Sequence, residues 1–139
     1  MRKFVIDSSV IIKWLNEVNE ILVDKAEQIL HDAKEGQALL LAPELAKYEI
    51  GNALLLKKKL TSSQMVEALE LFYNLPIDFY PETEALANTS STLGQALKIT
   101  YYDAVFLALA KQHDATLITE NVKHQGKSSE IKVTSLKDY

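Results

Sequence analysis

The sequence contains no cysteine, and this absence excludes a disulfide framework and a zinc site built from thiolates. Its three histidines, His31, His113 and His124, are too scattered to predict a metal-binding or catalytic trio. Only four glycines occur, and none follows a predicted strand in the pattern of a phosphate-binding loop. Hydrolytic chemistry in such a chain falls most readily to carboxylates gathered around a hard divalent cation.

The chain also lacks any apolar stretch near the roughly 20 residues that a membrane-spanning helix needs. The apolar run that follows Met1 is too short for a secretory signal. We therefore expect a cytoplasmic protein with no membrane association. Positive charge is in short supply, and the net charge of −4 speaks against a general polyanion binder. This charge does not exclude a nuclease that holds its substrate through a metal ion and a local basic patch. It also suits a basic protein partner.

What the sequence does contain is typical of one folded domain, which we place at residues 1–139. Apolar residues make up 47% and charged residues 24%, an ordinary balance for a globular protein. Short apolar runs alternate with helical periodicity, and this predicts a three-layer α/β/α sandwich around a central parallel sheet. The predicted strands are 3–6, 39–41, 76–81, 116–119 and 131–133; the predicted helices are 10–15, 18–33, 44–59, 62–73, 82–97 and one after Thr100, with a polar loop to about Ser129.

Two of these helices carry sharper signals. Thr61 and Gln64 have the spacing of a capping box that begins the helix at Ser62. The apolar residues of that helix are predicted to share one face: Met65, Val66, Leu69, Phe72 and Tyr73. The helix after Thr100 is apolar on all sides, so we expect it to be central, with its N-terminus in the interior.

Asp7 is the first of three acids that stand out. It follows the strand 3–6, and in open parallel sheets ligands bind beyond the carboxyl ends of the strands. One interpretation makes Asp7 a metal ligand, and the other makes it the N-cap of the next helix. Ser8 follows it at the same point of the chain.

Glu49 interrupts the apolar arc formed by Leu45, Ala53 and Leu56 on its predicted helix. Burying an ionised carboxylate costs several kcal/mol or more unless it is paired or bound to metal. Burial therefore favours a metal site, while a pair with a basic residue or an edge position is the alternative. Asn52 lies one turn later and can hydrogen-bond the same site.

Asp103 begins the apolar helix and stands three residues after Thr100, the spacing of a capping box. The helix dipole at this position favours an ionised carboxylate, so the roles of cap and ligand are compatible. At the end of the strand 116–119, Thr119 offers a hydroxyl, and either Glu120 or Asn121 can face the site.

Lys57, Lys58 and Lys59 form the densest run of positive charge. Such a run is most often a solvated helix end favoured by the dipole, and contact with phosphate is the less frequent alternative.

The ordered set of motifs resembles the PIN-domain family, especially its VapC-type toxins. The matching segments are FVIDSSV at residues 4–10, EIGNA at 49–53, YDAVFLALA at 102–110 and LITEN at 117–121. The resemblance implies a toxin endoribonuclease that depends on Mg²⁺ or Mn²⁺, with RNA as substrate, a cognate antitoxin as partner and a homodimer as assembly. It implies Asp7, Glu49 and Asp103 as catalytic metal ligands. Asn121 is a further ligand position, and Ser8, Asn52, Thr119 and Glu120 surround the pocket.

One position departs from that family. Members of the family often have a fourth acid two residues after the threonine that corresponds to Thr119, and here that position is Asn121. The departure leaves open whether one or two metal ions bind, and whether Glu120 substitutes through a local turn. It motivates an alternative, a PIN-fold protein with attenuated or lost nuclease activity that binds RNA or protein. A phosphoryl-transfer domain with Asp7 as nucleophile is disfavoured, because no second aspartate stands two positions later.

Overall fold

Within residues 1–126 and 130–139, which the computed structural model describes, five strands form one sheet in the order β3-β2-β1-β4-β5. Every neighbouring pair is parallel, and this confirms the predicted central parallel sheet. The strand bounds are β1 Arg2–Ile6, β2 Ala38–Pro43, β3 Ile77–Tyr80, β4 Thr116–Thr119 and β5 Val133–Ser135.

Helices connect the strands and cover the sheet in the three-layer arrangement that the sequence predicts. Helices α1 and α2 pack against each other, and α5 packs against α6. The capping box of Thr61 and Gln64 is present at the start of α4. The helix bounds are α1 Ser8–Leu15, α2 Val23–Lys34, α3 Leu45–Asn52 with a π-helical extension Ala53–Lys57, α4 Ser62–Tyr73, α5 Glu84–Leu97, α6 Tyr101–His113, α7 Val122–Gln125 and a final 3₁₀ turn Leu136–Asp138.

The core centres on β1 and α6. Val5 and Ile6 of β1 are fully buried, and the α6 segment 104–110 is buried throughout. Helix α6 contacts β1, β2 and β4, so the all-round apolar pattern correctly predicted a central helix. Its N-terminus is not interior, however, because Tyr101 and Tyr102 are 41% and 60% exposed. That end of α6 reaches a cavity at the sheet edge.

Three local predictions were wrong in detail. Helix α2 begins at Val23 rather than near residue 18, because Asn19 and Leu22 adopt left-handed backbone angles that a helix does not continue through. On α4, Phe72 of the predicted apolar face is buried, while Val66 and Tyr73 of the same face are exposed, a difference in burial that does not contradict the predicted face. The remaining differences lie near the end of the chain: β5 is Val133–Ser135 rather than 131–133, and α7 replaces part of the predicted polar loop, of which 127–129 lie outside the described residues.

The sheet brings two predicted site segments together. Ile6 pairs with Ile118, so β1 and β4 end side by side, and the Asp7 amide donates to the Ile118 carbonyl at 3.0 Å. The segments that contain Asp7 and Thr119 therefore meet at the carboxyl edge of the sheet. Among the residues described, no helix has the length and apolar character needed to cross a membrane.

Candidate metal and active site

A cavity of about 540 Å³ opens at this carboxyl edge. Asp7, Glu49 and Asp103 all line it, although they come from the start of α1, from α3 and from α6. The fold thus gathers the three acids selected from the sequence around one space. Other residues that line the cavity are Ser8, Ser9, Ile12, Val18, Asn19, Glu20, Ile50, Ala53, Lys57, Lys58 and Glu120.

Asp7 is the N-cap of α1, as one interpretation predicted, and it also lines the cavity, where its role as a metal ligand stays a prediction. Its Oδ2 atom accepts hydrogen bonds from the Ser9 amide at 3.2 Å, the Ser9 hydroxyl at 2.6 Å and the Thr119 hydroxyl at 3.1 Å. All three donors converge on one oxygen of a carboxylate that is only 9% exposed. Burial raises the pKa of Asp7 above its usual range, although these hydrogen bonds oppose the shift; the charge of Asp103 adds to it.

Glu49 is half-buried on α3 and is hydrogen-bonded by a hydroxyl group. The Ser8 hydroxyl donates to Glu49 Oε1 at 2.8 Å, which links the start of α1 to α3. Burial raises the pKa of Glu49, the Ser8 hydrogen bond lowers it, and the charges of Asp7 and Asp103 raise it further. Lys57 contributes a smaller opposing charge effect. Glu49 thus lies in the field of the other two acids.

Asp103 occupies the first turn of α6, where the Thr100 hydroxyl accepts a hydrogen bond from the Asp103 amide at 3.0 Å. Thr100 is therefore the N-cap of α6, and the helix follows it as the sequence predicted. The positive end of the α6 dipole lies at the cavity and favours a carboxylate there.

Around β4, Thr119 is fully buried and connects two chain segments. Its hydroxyl donates to Asp7 and accepts from the Asn121 amide at 2.8 Å. Glu120 lines the cavity, and its carboxylate forms an ion pair with Lys13. Asn121 does not line the cavity, and neither does Asn52, which is exposed on α3. The functional roles of these residues stay predictions.

Lys13 is a residue that the sequence analysis missed. It is 1% exposed in α1 and bonds Glu20 Oε1 at 3.0 Å and the Ile21 carbonyl at 2.5 Å, in addition to Glu120. Burial alone would lower the pKa of Lys13, but the hydrogen bonds and charges of Glu120 and Glu20 raise it above its usual value. A lysine inside the apolar run 10–15 was the available signal, and it is the same kind of signal that singled out Glu49.

The donor chemistry at the cavity suits a hard divalent cation. Carboxylate oxygens are the ligands that Mg²⁺ and Mn²⁺ prefer, and mutual repulsion among the three acids is what a bound cation relieves. In the described part of the chain, the acidic and histidine side chains do not form a group of three spaced as ligands of a single ion. Binding through all three carboxylates therefore requires their side chains to turn towards a common point.

Comparisons with known proteins agree with this architecture. The model of the PIN domain family matches residues 4–126. VapBC2 from Rickettsia felis, solved with a promoter DNA fragment, has a TM-score of 0.75 at 14% identity, covering 96% of this chain and 98% of that one. A toxin–antitoxin complex from Klebsiella pneumoniae has a TM-score of 0.67 at 20% identity, covering 97% and 98%. VapC20 from Mycobacterium tuberculosis, a toxin that cleaves the sarcin–ricin loop, has a TM-score of 0.67 at 11% identity, covering 93% and 98%.

A comparison with curated proteins finds no significant match. At identities of 11–20% the three structural likenesses show the shared fold alone. The family match carries more weight, because it extends from β1 through the end of α7 and includes Asp7, Glu49 and Asp103. Because this match covers most of the chain and the fold agrees with it, the chain belongs to the PIN domain family.

Proposed function

We propose that this protein is a metal-dependent endoribonuclease that hydrolyses RNA phosphodiester bonds at the cavity. One observation carries the proposal: Asp7, Glu49 and Asp103, from three separate elements, line one cavity at the carboxyl edge of the sheet and interact through their charges. An acid cluster of this kind is costly to the fold, so it is expected where a ligand compensates for it.

The chain's own residues have distinct tasks in this proposal. Asp7, Glu49 and Asp103 hold Mg²⁺ or Mn²⁺. Asn121 does not line the cavity, so it becomes a neutral ligand only when its side chain turns towards the acids. Ser9 and Thr119 fix the Asp7 carboxylate through Oδ2, and Ser8 fixes the Glu49 carboxylate, so the orientation of these two acids depends on hydroxyl donors. The cation, when bound, supplies Lewis acidity at a phosphate oxygen and lowers the pKa of a coordinated water.

The second candidate is a PIN-fold protein with attenuated or lost nuclease activity that binds RNA or protein. Asn121 in place of an acid motivates it, and the pairing of Glu120 with Lys13 favours it, because that carboxylate is already engaged by an ammonium group. One cation held by three acids would then be weakly bound. Metal affinity and cleavage separate the two candidates.

A protein partner is the other part of the proposal. The structural relatives include toxin–antitoxin complexes, and we propose that this chain is a toxin that pairs with an antitoxin. Four large apolar side chains are exposed on segments that line the cavity or adjoin it: Val18, Ile21, Leu55 and Leu56. We also propose a homodimer, which size-exclusion chromatography with light scattering tests directly; a monomer throughout the micromolar range would contradict it.

Cleavage of a structured RNA panel tests the activity. Purified wild type and Asp7→Asn are compared with Mg²⁺, with Mn²⁺ and with EDTA. Cutting that requires metal and disappears in Asp7→Asn supports the nuclease. Induced expression in a bacterial host adds a second readout, since a toxin arrests growth and its Asp7→Asn variant does not. Failure to cut RNA, together with no metal binding by calorimetry, contradicts the proposal and favours the second candidate.

A further inference from the structure

Three consecutive lysines follow α3, and the backbone places them in three different environments. Helix α3 continues into the π-helical extension Ala53–Lys57, where the Lys58 amide donates to the Ala53 carbonyl at 2.9 Å. Lys59 then adopts a left-handed conformation with φ of 53°, and the Leu60 amide returns to the Leu54 carbonyl at 3.2 Å. The helix therefore ends in an αL cap at Lys59.

Two of these lysines have structural surroundings that account for them. Lys58 donates to Glu20 Oε2 at 2.7 Å and to the Val18 carbonyl, and its side chain is only 9% exposed. It anchors the segment before α2 against the helix end. Lys59 is exposed and does not line the cavity.

Lys57 differs from both. It is exposed, it lines the cavity together with Glu49 and Ala53, and within the described residues it makes no hydrogen bond or ion pair. Its charge nevertheless reaches Glu49, whose pKa it lowers against the larger effects that raise it. The positive charge of Lys57 thus lies at the cavity wall without a carboxylate committed to it.

The π-helical extension accounts for this placement. In an α-helix, eight residues at about 100° each would leave Lys57 rotated by about 80° from Glu49. A π-helical turn advances each residue by a smaller angle, because its hydrogen bonds close over five residues rather than four. The extension therefore turns Lys57 back towards the line of Glu49 and Ala53. Such turns in helices frequently occur at functional sites.

A polyanion at this cavity would need a local cation. The protein carries a net charge of −4, and three carboxylates at the cavity repel phosphate. Lys58 is held by Glu20, and Lys13 is buried between Glu20 and Glu120. Of these three cations, Lys57 is the one whose ammonium group is not committed to a carboxylate in the described structure.

We propose that Lys57 binds a backbone phosphate of single-stranded RNA in the cavity and that the π-helical extension positions it for this contact. The proposal rests on the proposed ribonuclease function and adds to it the residue that holds the substrate beside the acids. It also predicts that Lys58 and Lys59, although adjacent in sequence, do not make this contact.

The salt dependence of RNA binding tests this assignment. A fluorescent 12-nucleotide RNA of random sequence is titrated with each protein by anisotropy, with Ca²⁺ in place of Mg²⁺ and gels to show that the RNA stays intact. One phosphate contact on a single strand contributes about 0.7 to the slope of log K against log salt. We expect Lys57→Gln to lose about 0.7 of that slope and to bind about fivefold more weakly at 0.1 M salt.

Matched variants control for folding and general charge. Lys59→Gln removes the same charge two residues away and is expected to keep the wild-type slope. Lys57→Arg is expected to keep it as well, since a guanidinium also binds phosphate. Thermal melts with and without Mn²⁺ should show that Lys57→Gln is folded and still stabilised by metal. A Lys57→Gln slope equal to that of wild type overturns the assignment while leaving the nuclease proposal standing. Absence of salt-dependent RNA binding by wild type overturns both.

Discussion

The two edges of the parallel sheet each contain a cavity and buried carboxyl groups, yet their electrostatics are opposite. At the amino edge, Arg2 and Tyr139 border a cavity of about 520 Å³ and both hydrogen-bond the Asp32 carboxylate, at 3.2 and 2.5 Å. Gln28 adds a bond of 2.9 Å to the other oxygen of Asp32. The Tyr139 hydroxyl and these other donors hold the pKa of Asp32 below its usual value.

At the carboxyl edge, the corresponding pKa shifts run the other way. Burial and the neighbouring acids raise the pKa values of Asp7 and Glu49, and hydroxyl groups rather than cations hydrogen-bond them. Burial and the Asp32 hydrogen bond raise the pKa of Tyr139 to about 12, so its hydroxyl stays protonated and donates to the Asp32 carboxylate. The difference supports the proposal that Asp32 stabilises the fold while Asp7 and Glu49 bind a ligand.

The largest expected effect concerns activity. Asp7→Asn removes a proposed metal ligand, while its amide oxygen can still accept the Ser9 amide and cap α1. We expect metal-dependent cleavage to fall by more than about 100-fold. Asp32→Asn, at the opposite edge, should keep its activity and instead lose stability, because charged hydrogen bonds are weakened. Single-turnover cleavage rates and thermal melts of both variants measure this. Equal losses of activity at the two edges would remove the distinction between them.

Lys13→Met tests whether the paired acids of the carboxyl edge are structural. The variant keeps the apolar length of the side chain but leaves Glu120 without its ammonium partner, while Glu20 keeps only its pair with Lys58. Because both glutamates are partly exposed, we expect a loss of about 1–3 kcal/mol in the free energy of unfolding. Urea denaturation measures it. Lys111→Met, which breaks the exposed pair with Glu130, is the control and should change stability by less than about 0.5 kcal/mol.

Metal should stabilise one edge of the sheet and not the other. At a concentration tenfold above its Kd, Mn²⁺ is expected to add about 1.4 kcal/mol to the stability of wild type, or about 5 °C in Tm. The increment should persist in Asp32→Asn and vanish in Asp7→Asn. Differential scanning fluorimetry with and without EDTA provides the comparison. A wild-type Tm that ignores millimolar Mn²⁺ would contradict the metal site.

Glu49→Gln should change activity and stability in opposite directions. Glutamine retains an oxygen that can accept the Ser8 hydroxyl, and it removes the charge that Asp7 and Asp103 repel. We expect the metal-free protein to gain about 0.5–1 kcal/mol while losing cleavage. Urea titrations in EDTA give the sign, and a destabilised Glu49→Gln would show that the carboxylate contributes to the fold.

The smallest expected effect is on the pH dependence of folding stability, which should fall on both sides of about pH 4; we call the two sides the upper and the lower arm. Asp7 and Glu49 have raised pKa values, so the folded protein holds protons there more tightly, and stability in EDTA falls as pH rises above the ordinary carboxyl value of about 4. Asp32 has a lowered pKa, so its contribution is present above about pH 4 and is lost below it. Thermal melts from pH 3 to pH 8 should show both arms. Asp7→Asn should flatten the upper arm and Asp32→Asn the lower one.

Much of the fold could be predicted from the sequence, because hydrophobic periodicity and helix caps are local signals. The alternation of strands and helices and the capping box at Thr61 both required only neighbouring residues. The three acids were selected in the same way, from their positions after a strand, within an apolar arc and at the head of a helix. Periodicity and capping thus determined the architecture and a short list of site residues.

Tertiary structure decided the rest, because it depends on residues distant in sequence. The pairing of β5 with β4 sets its register at Val133–Ser135, and left-handed angles at Asn19 and Leu22 end the helical pattern before α2. Only the packed chain assigns Lys13 to Glu20 and Glu120, which are 7 and 107 positions away.

The lysine run 57–59 shows the same division at the scale of single residues. From the sequence, these three side chains share one interpretation, a solvated helix end. In the structure, a wide helical turn directs Lys57 to the cavity, Glu20 holds Lys58, and Lys59 caps the helix in a left-handed conformation. The sequence by itself determined where strands, helices and acids occur, since those signals are local. Which charges meet was decided by the tertiary structure, because electrostatic interactions act through space between segments that only folding brings together.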